Sequence, residues 1–172
     1  MALDALVVTG NYAGLKFPMV GGIDLTGTVV SDESGAFNAG DEIVLNSFGI
    51  GTDHWGGYAE QARVRPEWCL KIPSGMDHLS CARIGTAGYT AALCVEALVA
   101  NGIKPEDGKI IVSGATGGVG SVAVAMLSNM GYSVSTSCAY INKDVILLSY
   151  CRLLPCQEKL KMNFLNPWVL VK

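Results

Sequence analysis

The segment SGATGGVG, from Ser113 to Gly120, constrains the fold of this chain more than any other part of the sequence. A short run, 109–112, in which a lysine precedes three apolar residues, stands directly before it, and a helical pattern over 121–130 follows it. Residues 132–136 then have the composition of a second strand. The order strand, glycine-rich turn, helix, strand predicts one βαβ unit, in which the two strands lie parallel to each other.

A glycine-rich turn in this context is typical of a dinucleotide site. On the pattern G-x-G-x-x-G, the three positions fall on Ala115, Gly117 and Gly120, so an alanine replaces the first glycine. Gly117 and Gly118 would let the backbone approach a pyrophosphate, and Gly120 would let the helix pack closely on the strand. The positive end of the helix would face the phosphates. A turn that serves only helix–sheet packing is the alternative.

The end of the second strand bears on the choice of cofactor. A Rossmann unit for NAD carries an Asp or Glu about 20 residues after the glycine motif. Here Ser137, Cys138, Ala139 and Tyr140 stand in that place, and none of them is acidic. Their identity favours NADP, although no arginine for the 2′-phosphate is present and Lys143 is the nearest cation.

The first 72 residues have a different pattern, of short strands separated by glycine turns. The β-branched run Ile23–Val30 predicts a strand, and its Gly27 suggests a bulge or a close approach of another backbone. The alternation over Tyr58–Val64 predicts another strand. Many short strands at close spacing are typical of a small antiparallel barrel or sandwich.

Two segments carry helical periodicity. Residues 82–100 are predicted to form a helix with Thr86 or Thr90 as its N-cap, and Cys94 is predicted to be a buried thiol on its apolar face. In the helix over 121–130, Gly131 stands where a C′ glycine belongs. The apolar face of that helix is predicted to consist of Val122, Ala125, Met126 and Met130.

Glycine content and charge change together near residue 136. All 21 glycines lie between Gly10 and Gly131. Residues 1–136 carry a net charge of −6, whereas residues 137–172 carry +3. The last segment is therefore a different kind of sequence, and its apolar residues, 145–148 with Leu153 and Leu154, are predicted to lack a native partner sheet.

The composition excludes several classes of protein. Half of the 172 residues are apolar and 16% are charged, which argues against a disordered chain. The net charge of −3 argues against a nucleic-acid-binding protein. The absence of an apolar run of 18 residues argues against a membrane span. With no secretory or mitochondrial features at the N-terminus and no C-x-x-C pair, the sequence predicts a cytoplasmic protein with reduced cysteines and no metal.

Four motifs together resemble the medium-chain dehydrogenase/reductase superfamily, and within it the zinc-free, YhdH-type quinone oxidoreductases and acryloyl-CoA reductases. The motifs are FPMVGGIDLTGTVV, HWGGYAEQARV, GTAGYTAALCVEAL and DGKIIVSGATGGVGSVAVAML, and the resemblance covers about residues 3–136. It implies an α/β fold: a partial GroES-like β-rich domain over 1–82, then the start of a Rossmann domain, with one βαβ unit, over 83–136. Residues 137–172 form a divergent tail of unknown structure.

The resemblance implies an NADPH-dependent oxidoreductase that transfers hydride, without zinc, to the activated C=C bond of an enone, quinone or acyl-CoA. It places Thr86 and Thr90, in a segment with Gly88, beside the nicotinamide. Full-length members of the family are expected to form homo-oligomers. The residues that match the family's pyrophosphate-binding turn are Thr116, Gly117, Gly118 and Val119.

Other positions limit what the resemblance implies. Ile23 stands at a zinc-ligand position of the metal-dependent relatives and cannot bind zinc, and no catalytic side chain is assigned. Asp24 is predicted to be a turn residue or a hydrogen-bonded structural residue, and the alternative is a polar group near the active cleft. His54 and Trp55 are predicted to form a packing corner, and the alternative is a role in a substrate loop. The later Rossmann strands and the C-terminal return to the first domain are predicted to be absent. The alternative function is therefore a truncated, non-catalytic form, at most a partner-binding module.

Overall fold

The computed structural model describes residues 2–14, 16–137, 146–148 and 169–171. The chain divides into two compact units, Met1–Thr86 with Asn163–Lys172, and Ala87–Met162. The helices are α1 (Ala2–Val8), α2 (His78–Ala100) and α3 (Gly118–Asn129). The strands are β1 (Asp24–Asp32), β2 (Glu42–Asn46), β3 (Ala62–Val64), β4 (Leu70–Lys71), β5 (Lys109–Ser113), β6 (Ser133–Ser137), β7 (Ile146–Leu148) and β8 (Val169–Val171). Short 3₁₀ helices occupy Pro66–Trp68 and Pro105–Asp107.

The first unit contains a five-stranded sheet in the order β3-β8-β1-β2-β4, and each neighbouring pair is antiparallel. The antiparallel arrangement predicted from the short strands is thus confirmed. Alternate residues of β2, Ile43 and Leu45, are almost completely buried, as expected for a sheet with one face on the core. The buried cluster of this unit consists of Val29, Ile43, Leu45, Ile50, Ala62, Val64, Trp68, Cys69 and Val171.

The bulge predicted at Gly27 is wrong. Gly27 lies in regular register opposite Ile43, and the pairing of β1 with β2 is unbroken from Asp24 to Thr28. The irregularity in β1 lies between Val29 and Ser31, on the side that pairs with β8. A glycine keeps both of its backbone hydrogen-bonding groups, so its presence in a strand does not by itself break the ladder.

Two further segments of the first unit differ from the expected strands. Residues 2–8 form α1, a helix too short to be stable alone, and Val7 is buried. Of the strand expected over 58–64, only β3 pairs with a neighbour. The N–H of Tyr58 donates instead to the carbonyl of Gly21 at 3.0 Å, so that the chain bends away from the ladder before β3 begins.

The second unit contains the predicted βαβ element. Strands β5 and β6 are parallel and aligned from the Lys109–Ser133 pair to the Ser113–Ser137 pair, and α3 connects them. β7 pairs with the other side of β5, also in parallel. The buried cluster consists of Ala91, Val95, Ile110, Val112, Ala123, Leu127 and Tyr132.

The predicted end of α3 is confirmed, and its predicted apolar face is confirmed in part. Gly131 has φ +85°, its N–H donates to the carbonyl of Ser128, and the N–H of Tyr132 donates to that of Leu127, which is the Schellman pattern. Of the predicted face, Val122 and Met126 pack against the buried cluster, whereas Ala125 and Met130 are exposed. The most deeply buried residues of α3 are Gly120, Ala123 and Leu127. Because apolar residues surround most of this helix, their spacing alone did not specify which side faces the sheet.

Two strands formed by the last segment were not expected. Residues Ile146–Leu148 form β7, so the prediction that this run lacks a partner sheet is wrong. Residues Val169–Val171 form β8, so the predicted absence of a C-terminal return to the first unit is also wrong. Leu153 and Leu154 lie outside the described residues. Extended apolar residues pair through their backbones, so a short strand needs no conserved motif.

Candidate functional site

The glycine-rich loop connects the end of β5 to the start of α3, and its turn depends on Gly114. This residue has φ +64°, in the left-handed region that glycine adopts readily. Its carbonyl accepts a hydrogen bond of 2.9 Å from the N–H of Gly117. Matching the loop to G-x-G-x-x-G assigned the turn position to Ala115 and missed Gly114. The spacing of three between Gly114, Gly117 and Gly120 was the signal that could have found it.

Gly120 permits the close approach predicted for it. A Cβ atom at this position would overlap the carbonyl oxygen of Gly114 and lie 2.8 Å from Cα of Ala115. The first turn of α3 therefore contacts the loop that follows β5, beginning at Gly114, one residue beyond the end of the strand. Any larger residue here would push the first turn of α3 away from the loop.

The start of α3 offers backbone donors to an anion. Gly117 is the N-cap, with φ −80° and ψ 169°, and no side chain caps the helix there. The first N–H groups of a helix have no acceptor within it and lie at its positive end. A Cβ on Gly117 would lie 3.3 Å from the carbonyl oxygen of Gly114, and one on Gly118 would lie 3.2 Å from Cβ of Ala87. Both distances are short, so the loop is packed closely at each of the two glycines.

In the first unit, the carboxylate of Asp24 is the centre of a polar cluster. One oxygen, Oδ1, accepts hydrogen bonds from Nδ2 of Asn46 at 2.7 Å, from the backbone N–H of Thr86 at 2.8 Å and from the Thr86 hydroxyl at 2.6 Å. Asn46 is also the direct cross-strand partner of Asp24. The prediction that Asp24 is a hydrogen-bonded structural residue is confirmed.

The Asp24 cluster lies at a break in α2. Gly85 has φ +51° and ψ −166°, so the helix consists of two segments that meet there. A Cβ on Gly85 would lie 2.9 Å from Oδ2 of Asp24. The carboxylate therefore takes the place of an N-cap for the segment that begins at Thr86, although it comes from a strand 62 residues away.

The N-cap predicted for α2 is wrong. The helix begins at His78, and the N–H of Ser80 donates to Oδ1 of Asp77 at 2.7 Å, which makes Asp77 the cap. A hydrogen bond from the Ser80 side chain, followed by the one from its backbone N–H, lowers the pKa of Asp77. Thr86 and Thr90 cap nothing, because the Thr86 hydroxyl donates to Asp24 and Thr90 lies within the second segment.

The structure assigns the expected nicotinamide-contacting residues to different units. Thr86 belongs to the first unit, whereas Thr90 and the glycine-rich loop belong to the second. The hydroxyl oxygen of Thr86 also lies 3.0 Å from Oγ of Ser47. Because the carboxylate of Asp24 can only accept, the Thr86 hydroxyl is the donor to it, and Ser47 then donates to Thr86.

An aromatic cluster surrounds the buried Trp68. Its ring stacks with Phe48, with centroids 6.1 Å apart, and lies 5.0 Å from the ring of His54. The guanidinium of Arg65 lies 5.2 Å from the Trp68 centroid. The packing role predicted for His54 is confirmed, but that for Trp55 is wrong, because Trp55 is 64% exposed.

Burial also changes the titration of groups in both units. Burial, followed by the charge of Arg65, lowers the pKa of His54 below its ordinary value of 6.5. Burial raises the pKa of the Cys69 thiol to about 12 and raises that of Cys94. Cys94 is 3% exposed, so its prediction as a buried thiol is confirmed.

Two other kinds of site are absent from the described parts of the chain. Across residues 2–14, 16–137, 146–148 and 169–171, no group of three or more His, Cys, Asp or Glu side chains could hold a metal ion. Among the helices that the structure describes, none has the length and hydropathy needed to cross a bilayer. Cys138, Ala139, Tyr140 and Lys143, on which the choice of NADP partly depends, lie outside those residues.

Comparison with known proteins extends this picture. Residues 2–74 match the family described as the alcohol dehydrogenase GroES-like domain. A protein of Escherichia coli K12 named "Probable acrylyl-CoA reductase AcuI" is 52% identical over 132 residues, which are 76% of this chain and 41% of that protein. The crystal structure of the yhdH oxidoreductase from Salmonella enterica in complex with NADP has a TM-score of 0.75 and 49% identity, over 77% of this chain and 41% of that one. That of Bacillus subtilis yhfP with NAD bound has a TM-score of 0.72 and 41% identity, over 77% and 41%.

The fold and these similarities agree with the sequence motifs. A GroES-like unit with an antiparallel sheet is followed by a βαβ unit of the Rossmann type. The chain therefore belongs to the medium-chain dehydrogenase/reductase superfamily. Its relatives within the superfamily include acryloyl-CoA reductases and the YhdH and YhfP proteins. The chain spans about two fifths of the length of these relatives.

The Asp24 cluster generates a stability prediction. Replacing Asp24 by Ala is expected to lower the free energy of unfolding by about 2–4 kcal/mol, since the N–H and hydroxyl of Thr86 and the amide of Asn46 lose a charged acceptor. Asp24→Asn retains an acceptor oxygen and should lose about half as much. Urea denaturation followed by circular dichroism measures both. The control is Glu33→Ala, an exposed carboxylate one residue beyond β1, expected within about 0.5 kcal/mol of the parent chain. Equal stability of Asp24→Ala and this control would contradict the assignment.

The lowered pKa of His54 generates a prediction about pH. The unfolded chain takes up the proton at a higher pH than the folded chain, so stability must fall as the pH drops from 7 through the unfolded pKa of 6.5. His54→Gln should remove this dependence between pH 7 and 5. The midpoints of urea denaturation at pH 7 and pH 5 measure this dependence. The control is His78→Gln, which removes the imidazole of the second histidine of the chain. The same loss of stability in His54→Gln as in the parent chain would show that another group is responsible.

Proposed function

We propose that this chain is the cofactor-binding part of an NADPH-dependent oxidoreductase, which reduces the activated C=C bond of an α,β-unsaturated carbonyl compound, quinone or acyl-CoA without zinc. The observation that carries the proposal is the turn between β5 and α3, in which Gly117, a residue without a side chain, is the N-cap of a helix that no side chain caps. The sequence identity between this chain and the acryloyl-CoA reductase and yhdH relatives supports reduction as the type of reaction.

The residues of the loop fit a pyrophosphate. The N–H groups at the start of α3 would donate to its oxygens, and the absence of a side chain at Gly117 would let the phosphates come close to the backbone. Thr116, Gly117, Gly118 and Val119 are the proposed binding residues. The first turn of α3 contains no acidic residue that would repel the phosphates.

The proposed preference for NADPH depends on the end of β6. Ser137, the last residue of this strand, is not acidic, so no carboxylate there would repel a 2′-phosphate or select a free ribose hydroxyl. The relatives show both cofactor types, since the Salmonella enterica protein is seen with NADP and the Bacillus subtilis protein with NAD. The order of NADPH and NADH affinities is therefore the informative measurement.

Thr86 and Thr90 are proposed to contact the nicotinamide. Because the Thr86 hydroxyl donates to Asp24, this residue would offer a cofactor its methyl group and help to position the ring by packing. The bound nicotinamide would supply the hydride, and the protein would supply orientation. We propose a small-molecule substrate, a cytoplasmic location and, for the full-length protein, a homo-oligomer.

The test is a titration of the 172-residue chain with NADPH, followed by calorimetry, and the matching variant is Gly117→Val. The backbone of Gly117 is extended, a conformation that β-branched residues adopt. Because its Cβ would lie 3.3 Å from the carbonyl oxygen of Gly114, circular dichroism is used to check that the variant is folded. It is expected to bind NADPH at least about tenfold more weakly, because its side chain would occupy the place of a phosphate. NADH is expected to bind more weakly than NADPH to the parent chain.

The control variant is Ser128→Val, an exposed position in the last turn of the same helix, which should bind NADPH like the parent chain. If Gly117→Val also binds like the parent chain, the loop is not the site. If the parent chain does not bind NADPH, the proposal is wrong for this chain and the non-catalytic alternative holds. Oxidation of NADPH in the presence of acryloyl-CoA or a quinone then tests the reaction itself.

A further inference from the structure

The hydroxyl of Ser47 continues the hydrogen-bonded chain of groups that begins at Asp24. Oδ1 of Asp24 accepts a hydrogen bond from the hydroxyl of Thr86 at 2.6 Å, and Oγ1 of Thr86 lies 3.0 Å from Oγ of Ser47. All three residues belong to the first unit. The groups therefore lead from a carboxylate on β1, through the start of the second segment of α2, to the residue that follows β2.

The carboxylate fixes the direction of both hydrogen bonds. An ionised carboxylate only accepts, so the Thr86 hydroxyl donates its one proton to Asp24. Ser47 must then supply the proton of its bond with Thr86. The single O–H of Ser47 is thereby used, and its oxygen keeps acceptor capacity only. In the part of the chain that the structure describes, Oγ of Ser47 takes part in no other hydrogen bond.

An unusual backbone conformation holds Ser47 in this position. Its φ is +69°, in the left-handed region that glycine adopts readily and other residues seldom adopt. Its N–H donates to the carbonyl of Ile23 at 2.8 Å, directly before β1. Conformations of this kind persist where the surrounding contacts hold them, and they concentrate at binding and catalytic sites. Ser47 remains half-buried, so a ligand can reach its oxygen.

An oxygen that only accepts selects the partner that can bind to it. The reacting carbonyl of an enone, quinone or acyl-CoA is also only an acceptor, so it cannot pair with Ser47. The nicotinamide of NADPH carries a carboxamide, whose N–H groups are donors. Thr86, which is proposed to pack its methyl group on the nicotinamide ring, is in direct contact with Ser47. Because the carboxamide is a substituent of that ring, it is the donor closest to hand.

From these observations we infer that Ser47 binds the carboxamide of the nicotinamide, with Oγ as the acceptor of one N–H. The bond fixes the rotation of the ring about its link to the ribose, and with it the face from which hydride leaves. Ser47 is thus a cofactor-binding residue. Asp24 is a positioning residue, because it acts through Thr86 to keep the Ser47 oxygen an acceptor. This role rests on the proposed function, since it requires that the chain bind NADPH.

The test compares two cofactors that differ only at the carboxamide. In the analogue of NADPH, an acetyl group replaces the carboxamide, so the ring keeps a carbonyl oxygen and loses both N–H donors. Calorimetric titration of the full chain gives the Kd for each cofactor. Ser47→Ala is expected to bind NADPH about three- to tenfold more weakly than the parent chain, which is the effect of one neutral hydrogen bond. The acetyl analogue should bind equally to both chains, because it offers Ser47 no N–H.

Two further variants separate binding from stability. Ser47→Gly also removes the hydroxyl, but glycine adopts φ +69° readily, whereas Ser47→Ala keeps the strain. Both should weaken NADPH binding to the same extent, although the midpoint of urea denaturation is expected to be higher for Ser47→Gly. The control is Ser74→Ala, at an exposed serine in a turn, which should bind both cofactors like the parent chain. Circular dichroism checks that each variant is folded, and if Ser47→Ala is not, Ser47→Gly takes its place in the comparison.

The outcomes distinguish the role of Ser47 from that of the glycine-rich loop. If the parent chain binds NADPH and the variants bind it equally well, or if they bind NADPH and the analogue with the same loss, Ser47 does not bind the carboxamide and the proposed function still stands. A loss in Ser47→Ala that is absent from Ser47→Gly would likewise overturn the inference and leave Ser47 a structural role. If the parent chain does not bind NADPH, the proposed function fails, and the role of Ser47 fails with it.

Discussion

The arrangement of the first unit depends on the hydrogen bonds that the carboxylate of Asp24 accepts. This carboxylate joins β1, the adjacent β2 and the break in α2, because one oxygen accepts from both Asn46 and Thr86. A helix that is interrupted at Gly85 exposes new N–H groups, and a negative acceptor at that point stabilises the start of the second segment. Three short hydrogen bonds offset the free-energy cost of removing this carboxylate in part from water.

The second unit depends on a backbone acceptor instead of a side chain. The carbonyl of Gly114 accepts the N–H of Gly117, and the missing side chain of Gly120 lets the helix approach it. The turn is therefore narrow, and the backbone N–H donors lie at the start of α3. The two units show two solutions to one problem, the unsatisfied N–H groups of a helix start: a carboxylate holds them in the first, and in the second they remain available to an anion.

Prediction from the sequence succeeded where local chemistry decides and failed where packing does. The βαβ unit and the C′ position of Gly131 follow from short-range patterns, and the structure contains both. The buried side of α3 was predicted only in part, because nearly every residue of that helix is apolar. The cap of α2 was misjudged because the residue that holds Thr86 lies on a distant strand, and no local pattern could indicate Asp24.

By itself, the sequence determined the family, the order of the two units and the glycine-rich turn, since each is written in motifs of adjacent residues. Only the tertiary structure decided that Asp24 supplies the cap at Gly85 and that Val169–Val171 completes the first sheet. Both depend on contacts between residues far apart in the chain. A hydrogen bond or a strand pair of that kind requires only suitable groups brought together by folding, so the sequence around either partner carries little sign of it.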